Sequence, residues 1–258
     1  MGSNRPLVTL SGTQMNDLTI YILSAVEPPL PECVESARRV LSSSSGIKGI
    51  VYVKDVFPMS AAFNAMVERC SSRFIVQVDG DIVLEPWAVE SLRTCLQAHP
   101  WAYMAWGQLG EMYDDGLRAG GAVRIWRRWP LRLFRFRDVR CVDRDLHSRI
   151  RLTGMRRVEA PADRRFGTHL PRQTPFARFS KAKGDCAKWL TLGRYDLIAA
   201  SLERSIESQD LLKGILAAMR LSSGELHRSK NAQEDWLEYL KSESSSCGVL
   251  PMWMRTTD

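Results

Sequence analysis

Cysteine is scarce in this sequence: six residues in 258, at positions 33, 70, 95, 141, 186 and 247, far apart and without a C-x-x-C pair. That spacing excludes a disulfide-framed secreted fold and predicts reduced thiols in a cytoplasmic protein. Histidine is scarcer still, with four residues and none at zinc-pair spacing, so no dedicated structural zinc site is expected. No run of about 18 apolar residues is present to span a bilayer. The first 17 residues lack an apolar core of signal-peptide length, and Pro6 stands where a myristoylation signal needs Ser or Thr. No repeat of solenoid period occurs. What remains is an ordinary globular composition, 45% apolar and 25% charged, large enough for one substantial domain with an appendage.

Charge is unevenly spread. The net charge is +7, yet 16 arginines, no lysine and 5 acids fall between Arg118 and Arg172, which leaves the rest mildly acidic. Short β-branched or aromatic runs at 18–24, 48–54 and 73–78 read as buried parallel strands. Helical periodicity fills the gaps, at 31–41 and after Pro58, where Ala62, Phe63, Met66 and Val67 share a face. Strand and helix alternating over about 80 residues indicate an α/β fold with a mostly parallel sheet flanked by helices, whose ligands sit beyond the carboxyl ends of the strands. A helix from Pro86, an aromatic strand from Trp101, a loop over 107–121 and a helix over 143–153 are expected next. From about Pro175 helices follow one another at 184–203, 206–221 and 230–242. The expected organisation is a flexible tail over 1–17, an α/β domain over 18–175 and a helical C-terminal extension over 176–258.

The third strand runs into Asp79-Gly80-Asp81. Two carboxylates flanking a residue without a side chain can hold a hard divalent cation while the backbone approaches a diphosphate. With 15 Asp in the chain a D-x-D can arise by chance, as Asp143-Arg144-Asp145 illustrates, but this one closes a strand at the ligand-binding edge. The competing structural reading is a solvated turn.

Here the sequence resembles the family 2-like glycosyltransferases of GT-A fold, over roughly residues 18 to 170. The matching segments are Leu23-Ser24-Ala25-Val26-Glu27, Val53-Lys54-Asp55, Ala62-Phe63-Asn64 and Val78-Asp79-Gly80-Asp81. A second motif, Val142-Asp143-Arg144-Asp145-Leu146-His147-Ser148-Arg149-Ile150 with Gly154, follows the family pattern except that Val142 replaces its leading Glu. Arg165-Phe166-Gly167-Thr168-His169 stands where many members carry a further metal ligand.

The resemblance implies a transferase that moves a sugar from a nucleoside diphosphate sugar to an acceptor hydroxyl with inversion. Asp81 and His169 would hold Mn2+ or Mg2+, Asp79 the metal or the ribose, and Ser24, Glu27, Asp55 and Asn64 the nucleoside. Asp143 would be the catalytic base, with helix N-capping as its structural alternative. The basic belt from Ile125 to Arg137, IWRRWPLRLFRFR, would favour a phosphorylated or lipid-linked glycan acceptor, or a peripheral contact at the inner face of the membrane. Its plain reading is a strand or loop with one buried face. Two other functions compete: a polyanion- or RNA-binding module on a degenerate scaffold, and a nucleotidyltransferase. Against the first, four Asp would repel a phosphate backbone and no RNA-binding signature is visible. Against the second, the loop after the first strand, SAVEPPLPE, has neither Gly nor a basic residue.

Overall fold

A computed structural model describes residues 17–113, 116–161, 163, 165–170, 174–204, 208–228 and 230–247. The expected tail, apart from Asp17, and the last 11 residues of the extension lie outside these.

Strand β1 (Leu18–Ser24), helix α1 (Pro31–Ser43), strand β2 (Ile47–Lys54), helix α2 (Met59–Arg69) and strand β3 (Phe74–Asp79) follow in order, and the three strands pair in parallel as β2-β1-β3. Pro31 opens α1 in the first turn, where a missing N–H costs nothing. Alternate side chains serve two cores. Leu18, Ile20, Ile22, Phe74, Val76 and Val78 pack with Ala37 and Val40 of α1, while Tyr21, Leu23 and Ile75 pack with Phe63, Met66 and Val67 of α2. Burial on both faces makes these strands continuous apolar runs, and each fully buried Val, Leu or Ile contributes about 1.5–3 kcal/mol.

Beyond β3 the sheet is mixed. It adds β4 (Ile82–Leu84), β5 (Ala102–Tyr113), β6 (Gly116–Arg127) and, later in the chain, β7 (Arg156–Glu159) and β8 (Gly167–His169). The order is β2-β1-β3-β6-β5-β8-β4, with β7 pairing β5. β6 is antiparallel to β3 and β5, and β4 to β8, whereas β7 and β8 run parallel to β5. Of residues 107–121, read from sequence as a loop, 107–113 and 116–121 instead lie in the paired strands β5 and β6. Glycines thin the apolar alternation there, and at least one is needed: a Cβ on Gly107 would collide with the Phe166 ring. The three-residue strands β4 and β8 are too short to leave a periodic signal.

Helix α3 (Ala88–Ala98) covers the same face as α1. After β6 come α4 (Arg128–Leu133) and α5 (Val142–Arg151). The arginine-rich segment therefore ends a strand, makes a short helix and leaves it as coil. Arg127 is 5% exposed, and no carboxylate appears among the described ion partners. It donates to Ala102 O at 2.8 Å, Leu96 O at 2.7 Å and His99 O at 3.3 Å, and lies over the Phe74 ring. It thus closes the carboxyl end of α3, where carbonyls lack partners. Arg127→Met keeps the volume but removes these donors, and we expect a loss of about 2–3 kcal/mol. The check is the urea midpoint at unchanged m; a midpoint equal to wild type would refute the bracing role.

The extension holds α6 (Pro175–Thr191), α7 (Tyr195–Arg204), α8 (Gln209–Met219), α9 (Ser223–His227) and α10 (Ala232–Cys247). The sequence suggested one helix over 184–203; two occur, separated at Gly193, whose φ of +67° is left-handed. Ala182, Cys186, Ala187, Ile198, Ile215 and Ala218 form their own core. Hydrogen bonds at three places join this unit to the sheet domain among the described residues. Thr174 Oγ1, the cap of α6, donates to Glu27 Oε1 at 2.7 Å, Met59 N to Lys230 O at 2.9 Å, and Arg140 Nε to Leu226 O at 2.8 Å. Among the described residues no helix is long and apolar enough to cross a membrane.

Candidate active site

A cleft of about 480 Å3 opens at the carboxyl ends of β1, β2 and β3. Its lining includes Ser24, Glu27, Asp79, Asp81, Arg124, Asp143 and His169, so most of the residues singled out from sequence meet in one place.

The turn after β3 is held tightly. Gly80 N donates to Leu23 O at 2.9 Å and Leu30 N donates to Gly80 O at 2.7 Å. A Cβ on Gly80 would sit 3.1 Å from Pro29 Cα and 3.2 Å from Leu23 O. Glycine is thus required here for packing against the loop after β1, a different reason from the backbone approach to a diphosphate inferred from sequence. Both flanking carboxylates line the cleft.

Asp79 is open to the cleft yet enclosed by protein. That desolvation, with Asp81 and Asp143 adding negative charge, pushes its pKa above the ordinary carboxylate value against the opposing pull of Arg124. Asp81 Oδ2 lies 3.2 Å from His169 Nε2, and Glu111 Oε1 lies 3.2 Å from His169 Nδ1. The Asp81 hydrogen bond holds the His169 pKa above its usual value in spite of burial. Glu111 was missed in the sequence; it reaches His169 because β5 and β8 pair directly at these two residues. Among the described residues no group of three or more His, Cys, Asp or Glu is arranged to hold a metal by itself. One or two carboxylates completed by substrate phosphate oxygens is, however, the ordinary way such sites take Mg2+. The crowding of like charge around Asp79 is a second feature that a cation would relieve.

Asp143 comes from α5 and sits in its first turn; the cap position is Cys141, which corrects the N-cap alternative. Asp143 Oδ2 accepts from Arg124 Nη1 at 2.9 Å, and Oδ1 is buried with no protein partner. One turn further along the same helix face, His147 stacks on Trp126 with centroids 5.7 Å apart, its Nδ1 2.7 Å from Tyr103 Oη. Burial pushes the His147 pKa down to about 4, so it stays neutral and serves to fix α5 on the sheet. Asp145 faces elsewhere, bonded to Arg149 at 2.8 Å.

The nucleoside candidates divide. Ser24 Oγ lines the cleft, buried and without a protein partner. Glu27 lines it while tied to Thr174. Asp55 turns back, its Oδ1 accepting from Val26 N at 2.9 Å; both residues have positive φ, so this bond fixes the loop after β1. Asn64 is outside the lining. Its Nδ2 donates to Phe136 O at 2.9 Å and its Oδ1 accepts from Phe136 N at 3.0 Å, clasping the coil after α4. Gln77, 4% exposed inside β3, lines the cleft with Oε1 unpartnered, although its polarity in an apolar strand was a visible signal.

The belt does not form one phosphate-facing surface. Arg127 is buried, Arg128 Nε donates to Val67 O at 3.4 Å, Arg135 pairs with Glu68, and Arg137 lies 3.8 Å from Asp145. The cleft-facing arginine is Arg124, one residue before the belt was thought to begin.

No protein-family model matches the chain, and no curated protein matches it in sequence. Among solved structures it is similar to the mannosyltransferase PcManGT of Pyrobaculum calidifontis in complex with GDP-Man and Mn2+, at 15% identity over 91% of this chain and 76% of that one, TM-score 0.45. Glucosyl-3-phosphoglycerate synthase of Mycobacterium tuberculosis, with Mg2+ and UDP, is similar at 12% identity over 69% and 78%, TM-score 0.46. The bifunctional IspDF of Campylobacter jejuni is similar at 12% identity over 59% of this chain, TM-score 0.42, and the chain spans only 52% of its length. Likeness at this level concerns the path of the chain, so the chemistry rests on the side chains of the cleft. In fold the chain is α/β, with a mixed sheet flanked by helices.

Proposed function

We propose that the protein is a metal-dependent glycosyltransferase that uses a nucleoside diphosphate sugar and an acceptor hydroxyl, with inversion. The observation that carries this reading is the meeting of Asp79, Asp81, Asp143 and His169 in one cleft, although they come from separate segments up to 90 residues apart in the numbering.

Asp81 and His169 are the groups that would hold Mn2+ or Mg2+, with Asp79 beside them; the mixed nitrogen and oxygen donor set suits either ion. When bound, the cation supplies Lewis-acid stabilisation of the departing diphosphate. Ser24 and Glu27 orient the nucleoside, and Asp55 acts by shaping the loop that carries them. Asp143 takes the proton of the acceptor hydroxyl as that oxygen bonds to the anomeric carbon. The bond from that carbon to the diphosphate oxygen breaks, and its electron pair stays on the diphosphate. Arg124 holds one Asp143 oxygen in place and leaves the other free for the proton.

Nucleotidyl transfer fits this cleft less well. It relies on main-chain amides and basic groups after the first strand, whereas here the Val26 amide is taken by Asp55. An RNA-binding role is weakened by the partners that Arg127, Arg128, Arg135 and Arg137 of the belt have within the fold.

The test is thermal stabilisation by UDP, GDP, CDP and ADP with Mn2+, Mg2+ or chelator. A metal-dependent shift for one base is expected; no shift with any nucleotide, beside a clear one with RNA or heparin, would overturn the reading.

A further inference from the structure

Two lysines of the C-terminal helices reach the cleft and have no part in the chemistry above. Lys181 on α6 and Lys230 between α9 and α10 line it, together with Phe176, Ala177 and Ser180. Lys181 Nζ keeps an exposed i,i+4 pair with Asp185 at 3.4 Å. Lys230 is placed by its main chain, through the bond from Met59 N that ties this link to the start of α2. Its side chain is half-buried, and among the described residues no carboxylate lies within ion-pair distance of it. Lys183, on the same helix as Lys181, makes the contrast: it is buried against Asp235 at 2.8 Å and Glu238 at 2.5 Å. The carboxylates that face Lys230 from a distance are Asp235, Asp185 and Asp81, and Lys181 adds like charge beside it. An ammonium held in protein without a close counter-charge is costly, and a second cation next to it adds to the cost, so the arrangement calls for an anion.

We propose that Lys230, assisted by Lys181, is a diphosphate clamp supplied by the C-terminal extension, and that it contacts the leaving group of the donor. This rests on the glycosyltransferase reading. The donor is favoured over a phosphorylated acceptor because Lys230 lines the same cleft as Asp79 and Asp81, the carboxylates assigned to the diphosphate end, and the charge of Asp81 reaches it. The negative charge left on the diphosphate oxygen when the glycosyl bond breaks then meets an ammonium as well as the metal. It also gives the extension a role in the site, as the wall that completes it.

The experiment titrates wild type, Lys230→Met, Lys230→Arg and Lys181→Met with UDP, GDP, uridine, guanosine and inorganic pyrophosphate, in Mn2+, and records melting temperatures without ligand. Lys230→Met is expected to weaken the preferred nucleoside diphosphate and pyrophosphate about tenfold or more, as loss of a charge-assisted hydrogen bond does, with the nucleoside unchanged. Lys230→Arg should restore most of the loss, and Lys181→Met should show a smaller one. Diphosphate binding by Lys230→Met equal to wild type overturns the clamp while the transferase reading stands. If Lys230→Met does not fold, Lys230→Gln takes its place, and diphosphate binding equal to wild type in that variant does the same. A lysine effect confined to phenyl phosphate added with saturating nucleotide overturns the donor assignment. Wild type that binds no nucleotide sinks both.

Discussion

Asp81→Ala is expected to lower turnover by at least about a hundredfold and to erase metal-dependent stabilisation by nucleoside diphosphate, without unfolding the protein. The fold should survive because Asp81 serves it through the main chain: its carbonyl accepts from Leu170 N at 2.8 Å, and alanine keeps that bond. His169 would still have Glu111 within reach. Electrostatics point the same way. Asp79 has a raised pKa in the folded state, so its carboxyl binds its proton more tightly there than in the unfolded chain. Stability is then lost as pH rises from the unfolded value of 3.8 through the elevated one. Removing Asp81 withdraws part of the repulsion, so metal-free Asp81→Ala should melt at or above the wild-type temperature. Wild type gains about 2.7 kcal/mol at ligand a hundred times its Kd, and the variant should gain almost nothing. The decisive comparison is the melting temperature of each protein with and without Mn2+ and nucleotide. An Asp81→Ala protein that keeps the full shift would remove Asp81 from the metal site.

The parts of this molecule legible in its sequence are those fixed by local period. β1, β2 and β3, buried on both faces, stand out as apolar runs, and the turn that ends β3 carries Asp79 and Asp81 to the edge where the strand pattern puts ligands. What could not be read depends on distant segments meeting. Glu111 matters because β8 pairs with β5 58 residues later, and Lys230 because a main-chain bond fastens its link to α2. Neither residue has a neighbour in sequence that announces it. The belt misled for a related reason. Alternating Leu, Phe and Arg gives a period of two, but Pro130 falls in the first turn of α4 and Arg127 turns inward to helix-end carbonyls. Asn64 shows the limit of transferring a role by motif position: its amide is used in both directions by the Phe136 backbone, and the residue lies outside the cleft lining.

Asp143→Asn should separate chemistry from binding more cleanly than any other change in the cleft. The side chain keeps its size, and an amide oxygen can still accept from Arg124 Nη1, now without the ionic component. That pair is partly open to solvent, at 25% and 32% exposure of the two side chains, so the loss of charge should cost about 1 kcal/mol or less. α5 is held independently, by Leu146 and Ile150 in the core and by His147 between Trp126 and Tyr103, so the position of residue 143 should not move. An amide cannot take the acceptor's proton. A positioned general base contributes about 10²- to 10⁴-fold, and kcat should fall by that range while the KM for the donor changes little. Donor affinity supplies the control: a merely structural role would disturb it, whereas Asp143→Asn should bind the donor as wild type does. Arg124→Met provides the contrast, since it leaves the carboxylate but frees it from its hold. It should lower kcat less than Asp143→Asn. Asp143→Asn turnover within a few-fold of wild type would assign the base elsewhere, and the inversion expected from a single displacement would then lose its structural support.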